Sequence, residues 1–137
     1  MANLIPELVQ EGFVFTEGPV GTADGGLYFS DIRVSKTYHL DPAGKITVIR
    51  EGTGGANGIA LTKDGELLFA EGEAMRITRL AIGGRVVTLT EGPEGTPLLA
   101  PNDLIADASF PSCSRLGSSS FQDCCNTPSF VVMFLLL

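Results

Sequence analysis

From Val20 to Leu89 the apolar residues fall in short runs, and where they alternate the period is two rather than 3.6. Ile46-Thr47-Val48-Ile49 and Arg85-Val86-Val87-Thr88-Leu89 carry the alternation most plainly, as half-buried strands of a stacked sheet do. The runs predict four short strands: one around Val20, then Leu27 to Asp31, Lys36 to Leu40 and Ile46 to Arg50. A second set of four begins around Ile59. Between the runs stand Asp24-Gly25-Gly26 and Lys63-Asp64-Gly65, whose residues tolerate the positive φ that tight hairpins require.

The two sets are copies of one unit. Asp24-Gly25 matches Asp64-Gly65, so the offset is 65 − 25 = 40, and it holds along the unit. Leu27 and Phe29 meet Leu67 and Phe69, Asp31 meets Glu71, Lys36 meets Arg76, and Leu40 meets Leu80. The match continues from Gly44-Lys45 onto Gly84-Arg85 and from Glu51-Gly52 onto Glu91-Gly92. A repeat of about 40 to 45 residues built of short strands and glycine turns is the signature of β-propeller blades. The fold class expected is therefore all-β, with two blades and the start of a third.

That third unit opens at Pro101-Asn102-Asp103-Leu104-Ile105-Ala106-Asp107, where Asn102 takes the place of Glu17 and Asn57 if about five residues are inserted before it. The pattern then stops. From Ala108 onward serine and cysteine dominate, Arg115 and Asp123 are the only charges, and Gly117 is the only glycine. The expected organisation is an incomplete propeller region over 1–107 and an unrelated, irregular tail over 108–137. A frameshift or altered splicing would produce such a break, and a genuine Ser-rich tail is the alternative.

Composition removes several function classes. The formal net charge of −7 and the single, scattered Lys and Arg residues leave no basic stripe for nucleic acid. The N-terminus lacks the basic and apolar regions of a signal peptide, and the apolar run Phe130 to Leu137 is far shorter than the roughly 20 residues that cross a bilayer. A cytoplasmic address and no membrane partner are the expectation. Cys113, Cys124 and Cys125 are odd in number and repeat no ligand spacing, so neither a disulfide framework nor a cysteine zinc site is read from them. No Gly-x-Ser-x-Gly elbow is present, and the lone His39, aligned with Arg79, reads as an outward strand position. The run Gly52 to Gly58 joins two strands with no helix after it, which removes the dipole a nucleotide loop uses.

The string Phe15-Thr16-Glu17-Gly18-Pro19-Val20, followed by Gly26-Leu27-Tyr28-Phe29-Ser30-Asp31-Ile32, resembles the opening of the gluconolactonase, regucalcin and luciferin-regenerating-enzyme family. Ala56-Asn57-Gly58-Ile59-Ala60 and Pro101-Asn102-Asp103-Leu104 resemble its later markers, in the expected order, so the resemblance covers residues 13 to 107. It implies a six-bladed propeller with a divalent cation in the central channel, calcium first and zinc as the alternative, and hydrolysis of sugar lactones or related esters. It also implies that Glu17 is a metal ligand and Asn102 a metal or substrate ligand. Two departures stand out: Ala100 occupies the place of a common arginine, and the family's remaining asparagine and aspartate ligands belong to blades beyond this sequence.

The repeat gives a reason to join these residues. Glu17, Asn57 and Asn102 each begin the innermost strand of a unit, so all three are directed toward one axis. A hard cation held there by carboxylate and amide oxygens can polarise a lactone carbonyl and activate water. Asn57 is the further substrate-contacting candidate. Asp103 is the catalytic candidate, as a base or as a support for Asn102. The plainer role for each is to cap a turn, which Asn and Asp do routinely. The rival to a metal-dependent hydrolase is a non-enzymatic β-repeat fragment that packs on another propeller or on itself, with self-association through open blade edges; an erroneous gene product is the third reading.

Overall fold

The computed structural model describes residues 5–92, 96–106 and 130–133, the last four by backbone alone. Two four-stranded antiparallel sheets account for most of it. The first, blade 1, contains β1 (Thr16–Gly21), β2 (Leu27–Asp31), β3 (Lys36–Leu40) and β4 (Ile46–Glu51) in that order. The second, blade 2, contains β5 (Ala56–Leu61), β6 (Leu67–Glu71), β7 (Arg76–Leu80) and β8 (Val86–Thr90). Then β9 (Asp103–Ala106) begins a third sheet and pairs with β10 (Phe130–Met133). Among the described residues there is no α-helix, only a 3-10 turn at Ile32–Val34.

The 40-residue offset persists down to single hydrogen bonds. In blade 1 the first hairpin is closed by Thr22 N–H donating to the Gly26 carbonyl and Gly25 N–H to the Thr22 carbonyl; in blade 2 Thr62, Glu66 and Gly65 repeat both bonds. Asp41, Gly44 and Lys45 close the outer hairpin as Ala81, Gly84 and Arg85 do. Ser35 and Met75 adopt the same left-handed conformation, with φ of 50° and 53°. The register of β1 on β2 slips between Glu17 and Val20, and that of β5 on β6 between Ala56 and Ile59. Slips repeated at the same place in both units behave as built features that re-aim the chain.

The sheets stack face to face through alternate side chains. Ile59, Leu67 and Phe69 of blade 2 are buried against Val20, Tyr28 and Ile49 of blade 1. On the opposite face of blade 2, Ala60, Leu68, Ala70 and Ile77 are buried with Leu98 and with Leu104 of β9. Fully burying a Leu, Ile or Phe side chain contributes about 1.5–3 kcal/mol, and Leu68, Phe69 and Ile77 are all fully buried. A polar link crosses the same interface. The Glu71 carboxylate, fully buried, accepts from Arg50 of blade 1 and from the Thr78 hydroxyl, and receives Arg76 Nε at 2.7 Å. The Arg50 guanidinium also lies 4.7 Å from the centre of the Phe69 ring.

Two expectations change. His39 and Arg79 do not point outward: His39 stacks on Tyr28 at 4.5 Å, and buried Arg79 pairs with Glu66 at 3.2 Å. Both lie on the third strand of a stacked sheet, where neighbouring side chains cover them. Part of the tail expected to be irregular is a strand, since Phe130–Met133 runs antiparallel to β9 with Phe130 opposite Ala106. The rest of 108–137, including Cys113, Cys124 and Cys125, lies outside the described residues.

Candidate functional site at the innermost strands

The innermost strands β1, β5 and β9 lie side by side in chain order, and glycines set how closely they approach. Gly18 has φ of +59°, and a Cβ built on it would sit 2.1 Å from the Asn57 carbonyl oxygen. One unit later, a Cβ on Gly58 would lie 2.7 Å from Asp103 Cα and 2.8 Å from the Asn102 carbonyl oxygen. Gly58 N–H donates to that same carbonyl at 2.7 Å. The residue after each candidate thus rests against the candidate of the next unit: Gly18 on Asn57, Gly58 on Asn102. This staircase sets the backbone of Glu17 on β1 and Asn57 on β5 next to that of Asn102, which immediately precedes β9.

The side chains differ in setting. Glu17 is exposed on β1, in a strand whose start is tied down by Asp31. The buried Asp31 carboxylate accepts from Val14 N–H at 2.8 Å and Phe15 N–H at 3.0 Å, and the Phe15 carbonyl accepts from Ile32 N–H. Asn57 and Asn102 are half-buried. Asp103 is exposed, and its carboxylate accepts from the N–H of the next residue, Leu104, at 2.8 Å. Among the described residues no group of three or more His, Cys, Asp and Glu side chains could hold a metal ion. A cavity of about 470 Å³ opens elsewhere, between residues 7–13 and the outer face of blade 1. Glu17 lines it; Asn57 and Asn102 do not.

Sequence reasoning passes over the residues that hold this arrangement: Gly18 and Gly58, Asp31, and the Arg50–Glu71 pair. The signal available is the repeat itself, which aligns Asp31 with Glu71 at the end of the second strand of each unit. Each is a buried acid whose oxygens take donors from a preceding segment.

The model of the SMP-30/Gluconolactonase/LRE-like region matches residues 15–109. The chain belongs to this family. Its SMP-30/gluconolactonase-like fold is shared by a gluconolactonase-family protein solved by structural genomics, at 30% identity and a TM-score of 0.65, over 72% of this chain and 35% of that one. A gluconolactonase from Xanthomonas campestris superposes with a TM-score of 0.67 at 27% identity, over 72% of this chain and 33% of its own. A virginiamycin B lyase from Staphylococcus aureus, at 20% identity and a TM-score of 0.58 over 68% of this chain and 31% of its own, shares the fold alone. No curated protein matches the chain. The chain spans about a third of the length of the solved gluconolactonases it matches. No helix of the described residues is long and apolar enough to cross a membrane.

Proposed function

We propose that these residues are the opening part of a metal-dependent lactonase-type hydrolase, acting in the cytoplasm on a sugar lactone or related ester. Glu17, Asn57 and Asn102 would face the substrate channel, and Asp103 would serve as a base or as a support for Asn102. The observation that supports the reading is the close backbone approach of Gly18 to Asn57 and of Gly58 to Asn102, which brings the starts of consecutive innermost strands together.

The donor set suits calcium in kind, being one carboxylate and two amide oxygens, and zinc less well. It falls short in number, because calcium takes six to eight oxygens and only one carboxylate is among the three. These residues alone do not make up a cation site, and no reaction step is derived through an ion. In isolation the chain should bind calcium weakly and hydrolyse lactones negligibly.

The test is a chromogenic lactone assay on the chain and on a chimera in which the remaining blades of a solved gluconolactonase follow Asp107. Turnover by the chimera that disappears with Glu17→Gln supports the reading. A chimera that folds, binds calcium and turns over equally well with Glu17→Gln excludes Glu17 as a ligand.

A further inference from the structure

Blade 1 departs from the repeat along one row of cross-strand partners. Ser30 pairs with Thr37 and Thr37 with Arg50, across β2, β3 and β4. In blade 2 the same row reads Ala70, Ile77 and Thr90, and there Ala70 and Ile77 are buried in an apolar cluster with Leu98 and Leu104. The row in blade 1 is turned toward blade 2. Tyr28, which shares a strand face with Ser30, packs against the cluster of Ile59, Leu67 and Phe69, and Arg50 reaches Glu71 and Thr78. Ser30 and Thr37 are both fully buried, and among the described residues neither hydroxyl has a hydrogen-bond partner. Buried hydroxyls are nearly always satisfied, because one stripped of solvent and left unbonded is costly. The polar groups at the end of the row are committed elsewhere: the Thr78 hydroxyl accepts from Arg50 Nη1 at 3.1 Å and donates to Glu71, whose other oxygen receives Arg76. The blade 2 strand packed against β2 is β5. It opens with buried Ala56, which offers no polar group and extends no further than Cβ.

We propose that the interface between blades 1 and 2 holds an internal water molecule that bridges Ser30 Oγ and Thr37 Oγ1 next to Arg50. Water fits the chemistry of the site. Each hydroxyl can donate one hydrogen bond and accept others, so a ligand that does both satisfies either orientation, and two or more polar partners are what an internal water requires. A cation there would oppose the Arg50 charge and an anion the Glu71 carboxylate bonded to it, which leaves a neutral ligand. Ser30 is also the cross-strand partner of Glu17. The hydrated row therefore runs from the partner of Glu17 to the ion pair that joins the blades. The inference does not depend on the hydrolase reading, since neither cation nor substrate enters its test.

The experiment joins a high-resolution crystal structure of the 137-residue chain to a double-mutant cycle read by urea denaturation. The expected structure shows an ordered water within hydrogen-bond distance of both Ser30 Oγ and Thr37 Oγ1. Ser30→Ala and Thr37→Val, which take the row toward the apolar pattern of Ala70 and Ile77, should each lower the urea midpoint. The double variant should fall by less than the two shifts added together, because loss of either hydroxyl already loosens the water that serves the other. A crystal structure in which the two hydroxyls bond directly to each other, with no water between them, overturns the proposal even if the cycle is non-additive. So does a rise in the midpoint with Thr37→Val, which would mean that the hydroxyl is buried without any partner, and so does a strictly additive cycle. The structure of the unaltered chain decides the matter by itself if a variant fails to fold.

Discussion

Gly58→Ala isolates the contact on which the arrangement of the innermost strands depends. Gly58 does not need a left-handed backbone, so the substitution adds only a methyl group, but that methyl would meet backbone atoms of Asp103 and Asn102 at 2.7 and 2.8 Å. The Asp103 carboxylate oxygen, at 2.6 Å, can swing aside, but the two backbone atoms cannot, and real Cβ atoms do not approach backbone so closely. The strands must separate, which lengthens the 2.7 Å bond from Gly58 N–H to the Asn102 carbonyl. Overpacking of this kind costs about 1–3 kcal/mol, and the lost hydrogen bond about 0.5–1.5 kcal/mol, for a total of about 1.5–4.5 kcal/mol. Urea denaturation followed by circular dichroism measures the change. Gly21→Ala is the control, because a Cβ there meets nothing closer than 4.0 Å, and it should stay within about 0.5 kcal/mol of the unaltered chain. A Gly58→Ala protein as stable as the control would refute the close approach of β5 and β9.

Arg50→Ala should destabilise by about 3–5 kcal/mol, since it leaves the Glu71 carboxylate buried with its inter-blade partner gone. Lys36→Ala, which removes only the solvent-screened 2.7 Å pair with Glu51, should leave the midpoint of the same denaturation series nearly unchanged. Asp31→Ala should cost about 2–4 kcal/mol, because the Val14 and Phe15 amides lose charged acceptors; hydrogen exchange at those two amides should rise with it. Asp24 is held below the usual carboxylate range by the Thr22 hydroxyl and the Gly26 amide. A lowered folded value means that its contribution is present above the ordinary value of 3.8 and fades as pH falls below it. Asp24→Asn should therefore flatten the acid limb of a stability-against-pH profile and leave the neutral range nearly unchanged in slope.

The strands from Leu27 to Asp31, Lys36 to Leu40 and Ile46 to Arg50 are legible in the sequence because period-two alternation and glycine turns bracket them. The offset that pairs Asp24-Gly25 with Asp64-Gly65 reappears in the turn hydrogen bonds, because identical turn chemistry at identical spacing folds identically. The adjacency of Glu17, Asn57 and Asn102 is also legible, for the same reason. What sequence reasoning does not reach is contact between units. Nothing in the string says that Arg50 ends beside Glu71, twenty-one positions on, or that Asp31 turns back to Val14 and Phe15. His39 and Arg79 read as outward because strand alternation describes one sheet, whereas a stack covers both of its faces. The strand at Phe130–Met133 carries an apolar pattern but no repeat partner, so only its pairing with β9 reveals it.

Calcium titration of the 137-residue chain by isothermal calorimetry, run beside its Glu17→Gln variant, bears most directly on the account that Glu17, Asn57 and Asn102 supply part of a cation site and not the whole of it. The expected result is weak heat with no sub-micromolar binding, diminished further in the variant, because one carboxylate and two amides leave most of the six to eight calcium positions to water. Tight binding by the unaltered chain that Glu17→Gln abolishes would contradict this and assign a complete site to these residues. Weak binding unchanged by Glu17→Gln would contradict the placement of Glu17 among the ligands.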